Sequence, residues 1–286
     1  MSTCEALLAW GREELGRADV PEAQLDAWYL LEECSGMSRA AYFLRCKEEM
    51  PPEKERIYRE WIRRRTERIP LQHILGKAWF MGMEFLVSNQ VLIPRQDTEV
   101  LVEETEKFLR PGMRILDMCT GSGCIVLSLL ALHPEIQGIG ADCSGEALEV
   151  ARKNAQKMIR EGKISPGQIQ WIQSDLFSEV TGTYSLLVSN PPYIPTGEIE
   201  GLMPEVRNHD PKIALDGRED GLYFYRRMIR EAGRVLEPGG RVCFEIGHDQ
   251  GRAVEALLKE NHFAETKIIK DLAGLDRVVT ARSRGI

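Results

Sequence analysis

Arg114-Ile115-Leu116-Asp117-Met118-Cys119-Thr120-Gly121-Ser122-Gly123 decides the fold. A short apolar run of buried-strand type, 115–117, passes directly into a glycine loop and then into an apolar helical stretch at 123–132. A loop that turns a strand straight into a helix needs small residues, so that backbone N–H groups can approach a ligand. A carboxylate follows at Asp142, at the end of the next expected strand and nineteen residues beyond Gly123. In open α/β sheets an acid at that place accepts hydrogen bonds from ribose hydroxyls. Together the loop and the acid indicate an adenosine-containing cofactor. A dinucleotide fingerprint would carry a third glycine where Val126 stands, which weakens an NAD oxidoreductase reading.

Outward from this loop, strands and helices alternate. A helix is expected at 98–109 and strands at 114–117, 136–141, 169–173 and 184–189. Helices are expected at 144–160, 220–236 and 249–260, and further strands at 241–246, 263–269 and 276–281, with a long loop after the strand at 184–189. This order predicts an α/β fold with a mainly parallel sheet.

The first seventy residues read differently. Leu7, Leu8, Leu15, Leu25, Tyr29, Leu30, Ile57, Trp61 and Ile62 recur at helical spacing, punctuated by Val20-Pro21, Ser35-Gly36 and Pro51-Pro52. Four helices in a small bundle are expected. Between the two regions, 74–94 predicts a β-hairpin with its turn at Ser88-Asn89-Gln90 and its end at Pro94. The domain bounds expected are therefore 1–72, 73–95 and 96–286.

The 286 residues carry 37 Lys+Arg against 44 Asp+Glu, a net charge of -7. That balance opposes nucleic-acid binding through bulk charge, which needs clustered bases. The fourth helix is the exception. Lys54, Arg56, Arg59, Arg63, Arg64, Arg65 and Arg68 face only four acids within residues 52–68. Glu–Arg pairs at i,i+4 on a solvated face explain it more simply than a docking surface. Seven scattered cysteines, no Cys-x-x-Cys and no His-x-x-x-His give neither a disulfide framework nor a metal site. The longest apolar stretch, near 124–132, is well short of the roughly 18 residues of a membrane span. A cytoplasmic chain in a reducing compartment is expected.

Leu186-Leu187-Val188-Ser189 is followed by Asn190-Pro191-Pro192-Tyr193. Two prolines stop the strand at its C-terminal end, where open α/β sheets bind ligands. They also make the following carbonyls rigid. An Asn side chain and a fixed carbonyl can each accept one N–H of a planar –NH2 group, and Tyr193 can stack on that plane. Such a nitrogen is a poor nucleophile because its lone pair is delocalised. Two acceptors aimed at its hydrogens stabilise the positive charge that develops on methylation.

The combination of 117–123, Asp142 and Asn190-Pro191-Pro192-Tyr193 resembles class I methyltransferases of the N-methylating type. Cys119 stands where that pattern has its first glycine. Further stretches resemble the HemK/PrmC glutamine methyltransferases: Pro70–Gly76, Phe80 with Phe85, Ile93-Pro94-Arg95-Gln96-Asp97-Thr98-Glu99, Ala214–Gly217, Asp220–Leu222, Phe244–Gly247 and Lys270–Gly274. Gln96 replaces the proline usual in that family. The resemblance implies a Rossmann-like, mainly parallel seven-stranded sheet with a small all-helical N-terminal domain, joined by a hairpin, that docks the substrate.

It also implies S-adenosylmethionine as cofactor. The substrate would be the glutamine of the Gly-Gly-Gln motif in peptide chain release factors, methylated on its side-chain amide nitrogen. Asp117, Cys119, Thr120, Gly121, Ser122 and Gly123 would hold the methionine part, and Asp142 the ribose. Asp175 and Leu176 would flank the adenine, and Phe80 would pack near the cofactor. Asn190 would serve both cofactor and substrate. Asn190 and the Pro191 carbonyl would hold the glutamine amide, with Pro192 stiffening the turn and Tyr193 lining the slot. No stable nucleic acid, no membrane and no metal are expected, and a monomer is. Arg95 is expected to pair with a structural carboxylate, Glu99 or Asp97. A DNA or RNA amine methyltransferase shares the tetrapeptide and is the main alternative. A binding module without chemistry is disfavoured by the intact tetrapeptide.

Overall fold

The fold is taken from a computed structural model that describes residues 2–284. Met1, Gly285 and Ile286, at the outer ends of the two expected domains, lie outside the described residues.

The N-terminal region is helical: α1 (Cys4–Arg17), α2 (Ala23–Ser35), α3 (Arg39–Arg45), α4 (Pro52–Thr66) and the short α5 (Leu71–Leu75). Thr3 caps α1 by accepting from the Ala6 N–H, and Ser38 caps α3 in the same way through Ala41. Pro52 opens α4, where a missing N–H costs nothing. Leu7, Leu15, Leu30, Tyr58 and Ile62 form its core. Gly11 lets α1 and α4 approach closely, since a Cβ there would lie 2.2 Å from the Tyr58 hydroxyl oxygen. Leu25 and Tyr29 share the apolar spacing but stay exposed.

The hairpin forms earlier than expected. β1 (Lys77–Phe80) and β2 (Met83–Leu86) pair across Met81-Gly82, both at positive φ, the backbone that suits a two-residue turn. Ile74 and Leu75 belong to α5 instead of a strand. The Ser88-Asn89-Gln90 turn is real, with the Val91 N–H donating to the Ser88 carbonyl. Val91 and Ile93 leave it buried but in no strand, packed with Ala78, Val87, Ala147 and Val150.

Beyond the hairpin come a 3-10 turn (Gln96–Thr98), α6 (Glu99–Glu106), β3 (Arg114–Met118), α7 (Cys124–Leu132), β4 (Gln137–Asp142), α8 (Gly145–Arg160), β5 (Ile169–Gln173) and β6 (Tyr184–Ser189). Then follow α9 (Pro204–His209), α10 (Lys212–Leu215), α11 (Tyr223–Ala232), β7 (Leu236–Glu245), α12 (Gly251–Glu260), β8 (Phe263–Lys270) and β9 (Asp276–Ser283). The sheet has seven strands in the order β5-β4-β3-β6-β7-β9-β8. β9 runs antiparallel to β7 and β8, and the pairs from β5 to β7 are parallel. The expected mainly parallel seven-stranded sheet and N-terminal helical region are both present.

The order in which successive strands are added reverses at β3, which pairs with β4 on one side and β6 on the other. Its last residue, Met118, lies in register with Ala141 of β4 and Ser189 of β6. Cys119, Asp142 and Asn190 therefore leave the same edge of the sheet side by side, at the switch point where such folds bind ligands.

Two compact units result. One holds the residues up to Lys77 with Met203–His209, and the other holds Ala78–Leu202 with Asp210 onward. The expected long loop after β6 thus contains α9, which belongs to the helical unit. Glu205 of α9 accepts from Arg65 Nη2 at 2.9 Å and from Arg68 Nε and Nη2 at 2.7 Å each. Elsewhere on α4 the expected i,i+4 pairs form, Arg59 with Glu55 and Arg63 with Glu67, and Arg63 also reaches Glu60 at i,i+3. No helix among the described residues is long and apolar enough to cross a membrane.

Candidate active site

A cavity opens at the C-terminal edge of the sheet. Its floor is 118–122, with Asp142, Ser174–Leu176, Asn190 and Pro192 around it. The loop is held from behind by Asp117, which is fully buried and accepts from Thr120 Oγ1 at 2.6 Å. Burial pushes the Asp117 carboxyl up to about 7, against the Thr120 hydroxyl. Asp117 does not line the cavity and shapes the loop from beneath.

Asp142 ties the loop to β4. Its Oδ2 accepts from the Gly121 N–H and its Oδ1 from the Ser144 N–H, both at 2.9 Å. Burial raises its pKa while those N–H groups oppose the rise. Gly121 sits at φ 55° with open space where a side chain would be. Gly123 sits at φ 79° and is packed, since a Cβ there would lie 2.9 Å from Trp171.

Cys119 occupies the glycine place with a glycine's backbone, at φ 60°. A non-glycine residue in that region carries about 1–3 kcal/mol of strain. Burial holds its thiol pKa well above the ordinary value, so it stays protonated. A β-branched side chain fits this backbone worse than Cys does. Cys119→Val should lower the unfolding free energy by about 2 kcal/mol in a urea titration. In Cys119→Gly the relief of strain is offset by the freer unfolded chain, so it should unfold within about 1 kcal/mol of the wild type, and a Cys119→Val protein as stable as the wild type would contradict the strain.

Asn190 follows β6 with its side chain partly exposed to the cavity. Its Nδ2 donates to Thr98 Oγ1 at 3.3 Å, and both residues line the cavity. Pro191 and Pro192 are buried, and Pro192 reaches the lining. The Tyr193 hydroxyl points away from the cavity and donates to Glu245 Oε1 at 3.4 Å.

The turn behind the motif is pinned on several sides. Gln250 Nε2 donates to the Tyr193 carbonyl at 2.8 Å. Ile194 exchanges backbone hydrogen bonds with Leu215 and Gly217. Gly217 and Gly221 press on the Tyr193 backbone, where a Cβ would come within 2.8 Å and 2.3 Å of it. These glycines explain why Asp216-Gly217 and Asp220-Gly221 accompany the tetrapeptide.

The structure brings Cys119, Thr120, Gly121, Ser122, Asp142, Asp175, Leu176, Asn190 and Pro192 to the cavity. Phe80, Asp117, Gly123, Pro191 and Tyr193 lie outside its lining. Phe80 is buried edge-on to Phe85, in the apolar cluster that contains the lining residues Cys124 and Ile125. Asp175 is held by a two-pronged ion pair with Arg227 (2.9 and 3.2 Å). Arg95 does pair with a carboxylate, but it is Asp210 (2.5 Å), because Asp97 is taken by Arg277. Glu99 instead accepts from the Met81 N–H at 2.6 Å.

The sequence reading missed Thr98, Cys143, Ile213 and Phe224 as lining residues. Thr98 stands inside a quoted stretch, and Cys143 and Ile213 each adjoin one, so position along the chain could have found them. Phe224 falls in the helix expected at 220–236, where no signal singles it out.

Two family models match the chain, a PrmC N-terminal domain over residues 6–76 and a methyltransferase small domain over residues 95–203. A release factor glutamine methyltransferase of Caulobacter vibrioides is 39% identical, over 97% of this chain and 96% of that protein. One of Geobacter sulfurreducens is 37% identical, over 98% of this chain and 96% of that protein. Among solved structures, a methyltransferase from Pyrococcus furiosus superposes with a TM-score of 0.53 at 20% identity. The match covers 78% of this chain and 99% of that one, and shows the shared fold.

Proposed function

Since the chain belongs to the family of release factor glutamine methyltransferases, we propose that it methylates the side-chain amide nitrogen of the glutamine in a release factor's Gly-Gly-Gln motif. It is an S-adenosylmethionine-dependent methyltransferase. The observation that carries the reading is the register of Met118 with Ser189, which brings the glycine loop and Asn190 to one cavity.

The residues fit the cofactor. The backbone at Gly121 has open space where a side chain would stand, and Asp142 lines the cavity beside it. Residues 119–122 would hold the methionine part, with Gly123 closing the loop and Asp117 setting its shape. Asp142 would accept from the ribose hydroxyls. Asp175 would face the polar edge of the adenine and Leu176 its plane. Phe80 would support the wall through Cys124 and Ile125. When bound, the cofactor supplies a methyl group on a positively charged sulfur, which leaves as a neutral thioether.

The chain's own residues prepare the amide. Asn190 Oδ1 and the Pro191 carbonyl accept its two N–H groups, which aims the nitrogen lone pair into the cavity. As the nitrogen gains its fourth bond it becomes positive, and both acceptors strengthen at that moment. Tyr193, fixed through Glu245, keeps the turn rigid, so the acceptors are placed before the reaction. No His or Lys is among the described residues lining the cavity, and the proton is released after transfer, when it has become acidic.

The helical region, 1–72, would dock the release factor, 73–95 would link it, and 96–286 would carry the chemistry. A separate apolar core in the helical unit supports that division. We assign the chain to the cytoplasm, where release factors act, as a monomer. The test uses purified protein, labelled S-adenosylmethionine and release factor, with the label located by peptide mass spectrometry. The reading expects it on the Gly-Gly-Gln glutamine. Label on another residue, or on adenine when nucleic acid is offered, would overturn it.

A further inference from the structure

Asp175 lines the cavity from the turn between β5 and β6. The backbone of that turn is tied down. Ser178 Oγ donates to the Asp175 carbonyl at 2.8 Å, and Ser174 Oγ donates to the Leu176 carbonyl at 2.6 Å. The Glu179 N–H donates to Ser174 Oγ at 3.0 Å. None of these bonds reaches the Asp175 side chain, which is 65% exposed and has two torsions of its own. A carboxylate so placed turns into water unless a partner holds it.

Arg227 on α11 holds it. Its Nη1 donates to Oδ1 at 2.9 Å and its Nη2 to Oδ2 at 3.2 Å, a fork that engages both oxygens. The guanidinium is itself seated, with its carbon 5.7 Å from the centroid of the Tyr223 ring. Tyr223 meets Phe224 edge to face at 5.1 Å, and Phe224 lines the cavity. The first turns of α11 thus supply both an apolar wall and the clamp on an acid of the same cavity. An ion pair this exposed adds little to stability, so what the fork contributes is direction. It occupies two of the carboxylate's roughly four acceptor sites and fixes where the others point.

We propose that Arg227 is a positioning residue for adenine recognition: its fork aims a free acceptor site of Asp175 at the exocyclic amine of the cofactor's base. Adenine presents an –NH2 donor there. Inosine presents a carbonyl oxygen, acceptor against acceptor, so the clamp on Asp175 sets a preference for adenosine over inosine. The proposal rests on the reading that Asp175 faces the polar edge of the adenine.

The test compares S-adenosylhomocysteine with S-inosylhomocysteine by calorimetric titration. The two carry the same charges, so the ratio of their dissociation constants cancels any general effect of removing a cation. The wild type should prefer the adenosine compound by about 10- to 100-fold, the worth of one hydrogen bond to a charged acceptor. Asp175→Ala and Arg227→Met should each lower that preference at least about threefold. The double variant Asp175→Ala/Arg227→Met should be no worse than Asp175→Ala, since one residue acts through the other. The melting temperature of Arg227→Met should stay near wild type.

A merely structural role for Arg227 would weaken both ligands alike and leave the ratio unmoved. If Asp175→Ala lowers the preference and Arg227→Met does not, the positioning role of Arg227 is overturned alone. A preference untouched by Asp175→Ala would overturn the adenine reading of Asp175, and the proposal with it. The titration needs no methyl transfer, so it decides the matter whatever the substrate.

Discussion

Asn190→Ala should lower kcat for methyl transfer by about 10²–10³-fold, the loss seen when one preorganised polar group at a reacting centre is removed. Cofactor affinity should stay within about threefold of wild type, because 119–122 and Asp142 remain in place. The expectation follows from the position of Oδ1. One Nδ2 hydrogen goes to Thr98, and Oδ1 is the acceptor that the side chain can offer to a substrate N–H. Alanine leaves the turn intact, since Gln250 and the Leu215–Gly217 segment hold its backbone. Equilibrium binding of labelled S-adenosylmethionine beside steady-state turnover separates the two effects. A kcat within tenfold of wild type would mean that the backbone carbonyl alone orients the amide.

Arg65→Met should destabilise the helical unit by about 3–5 kcal/mol, the usual result of removing one partner from a buried ionic group. Arg65 is 5% exposed and lies between two buried carboxylates. Its Nε donates to Asp26 at 2.7 Å and its Nη2 to Glu205. Burial raises Asp26, with Glu22 and Glu205 adding to the rise and Arg65 opposing it, so without Arg65 this buried carboxyl must stay charged without its cation or take up a proton, and either costs stability. Glu205 is better protected. Burial pushes it up as well, but Arg68 and Arg65 bring it down to about 2, and Arg68 would remain. The variant should therefore fail first at Asp26. Urea unfolding followed by the fluorescence of Trp10, Trp28 and Trp61 reads this unit. A loss under about 1 kcal/mol would show that the pair contributes no more than an exposed one.

The parts of this molecule that were legible in the sequence share one property: their cause is local. Ile115-Leu116 and Leu186-Leu187-Val188 read as apolar runs because strands buried on both faces have no polar side. The loop after Met118 needs small residues for its own backbone, and Asp142 sits where its strand ends. The hairpin was misplaced because two turn signals compete within twenty residues. Ser88-Asn89-Gln90 has the stronger composition, but only Met81-Gly82 is flanked by two segments free to pair, with α5 and Pro94 closing the others off. Contacts distant in sequence left no mark. Arg95 finds Asp210, Asn190 finds Thr98, and Arg65 finds Glu205 across 115, 92 and 140 residues. For the same reason the segment between β6 and the helix expected at 220–236 read as a plain loop, although α9 belongs to the helical unit and Ile213 walls the cavity.

The central claim is that one cavity holds a methyl donor against a glutamine amide fixed by Asn190. Its most direct test is tandem mass spectrometry of release factor after incubation with the enzyme and labelled S-adenosylmethionine. A release factor whose Gly-Gly-Gln glutamine is changed to glutamate serves as the matched substrate without an amide. The account predicts one methyl group on the glutamine nitrogen of the unaltered factor and none on the altered one. Equal labelling of the two factors would contradict it.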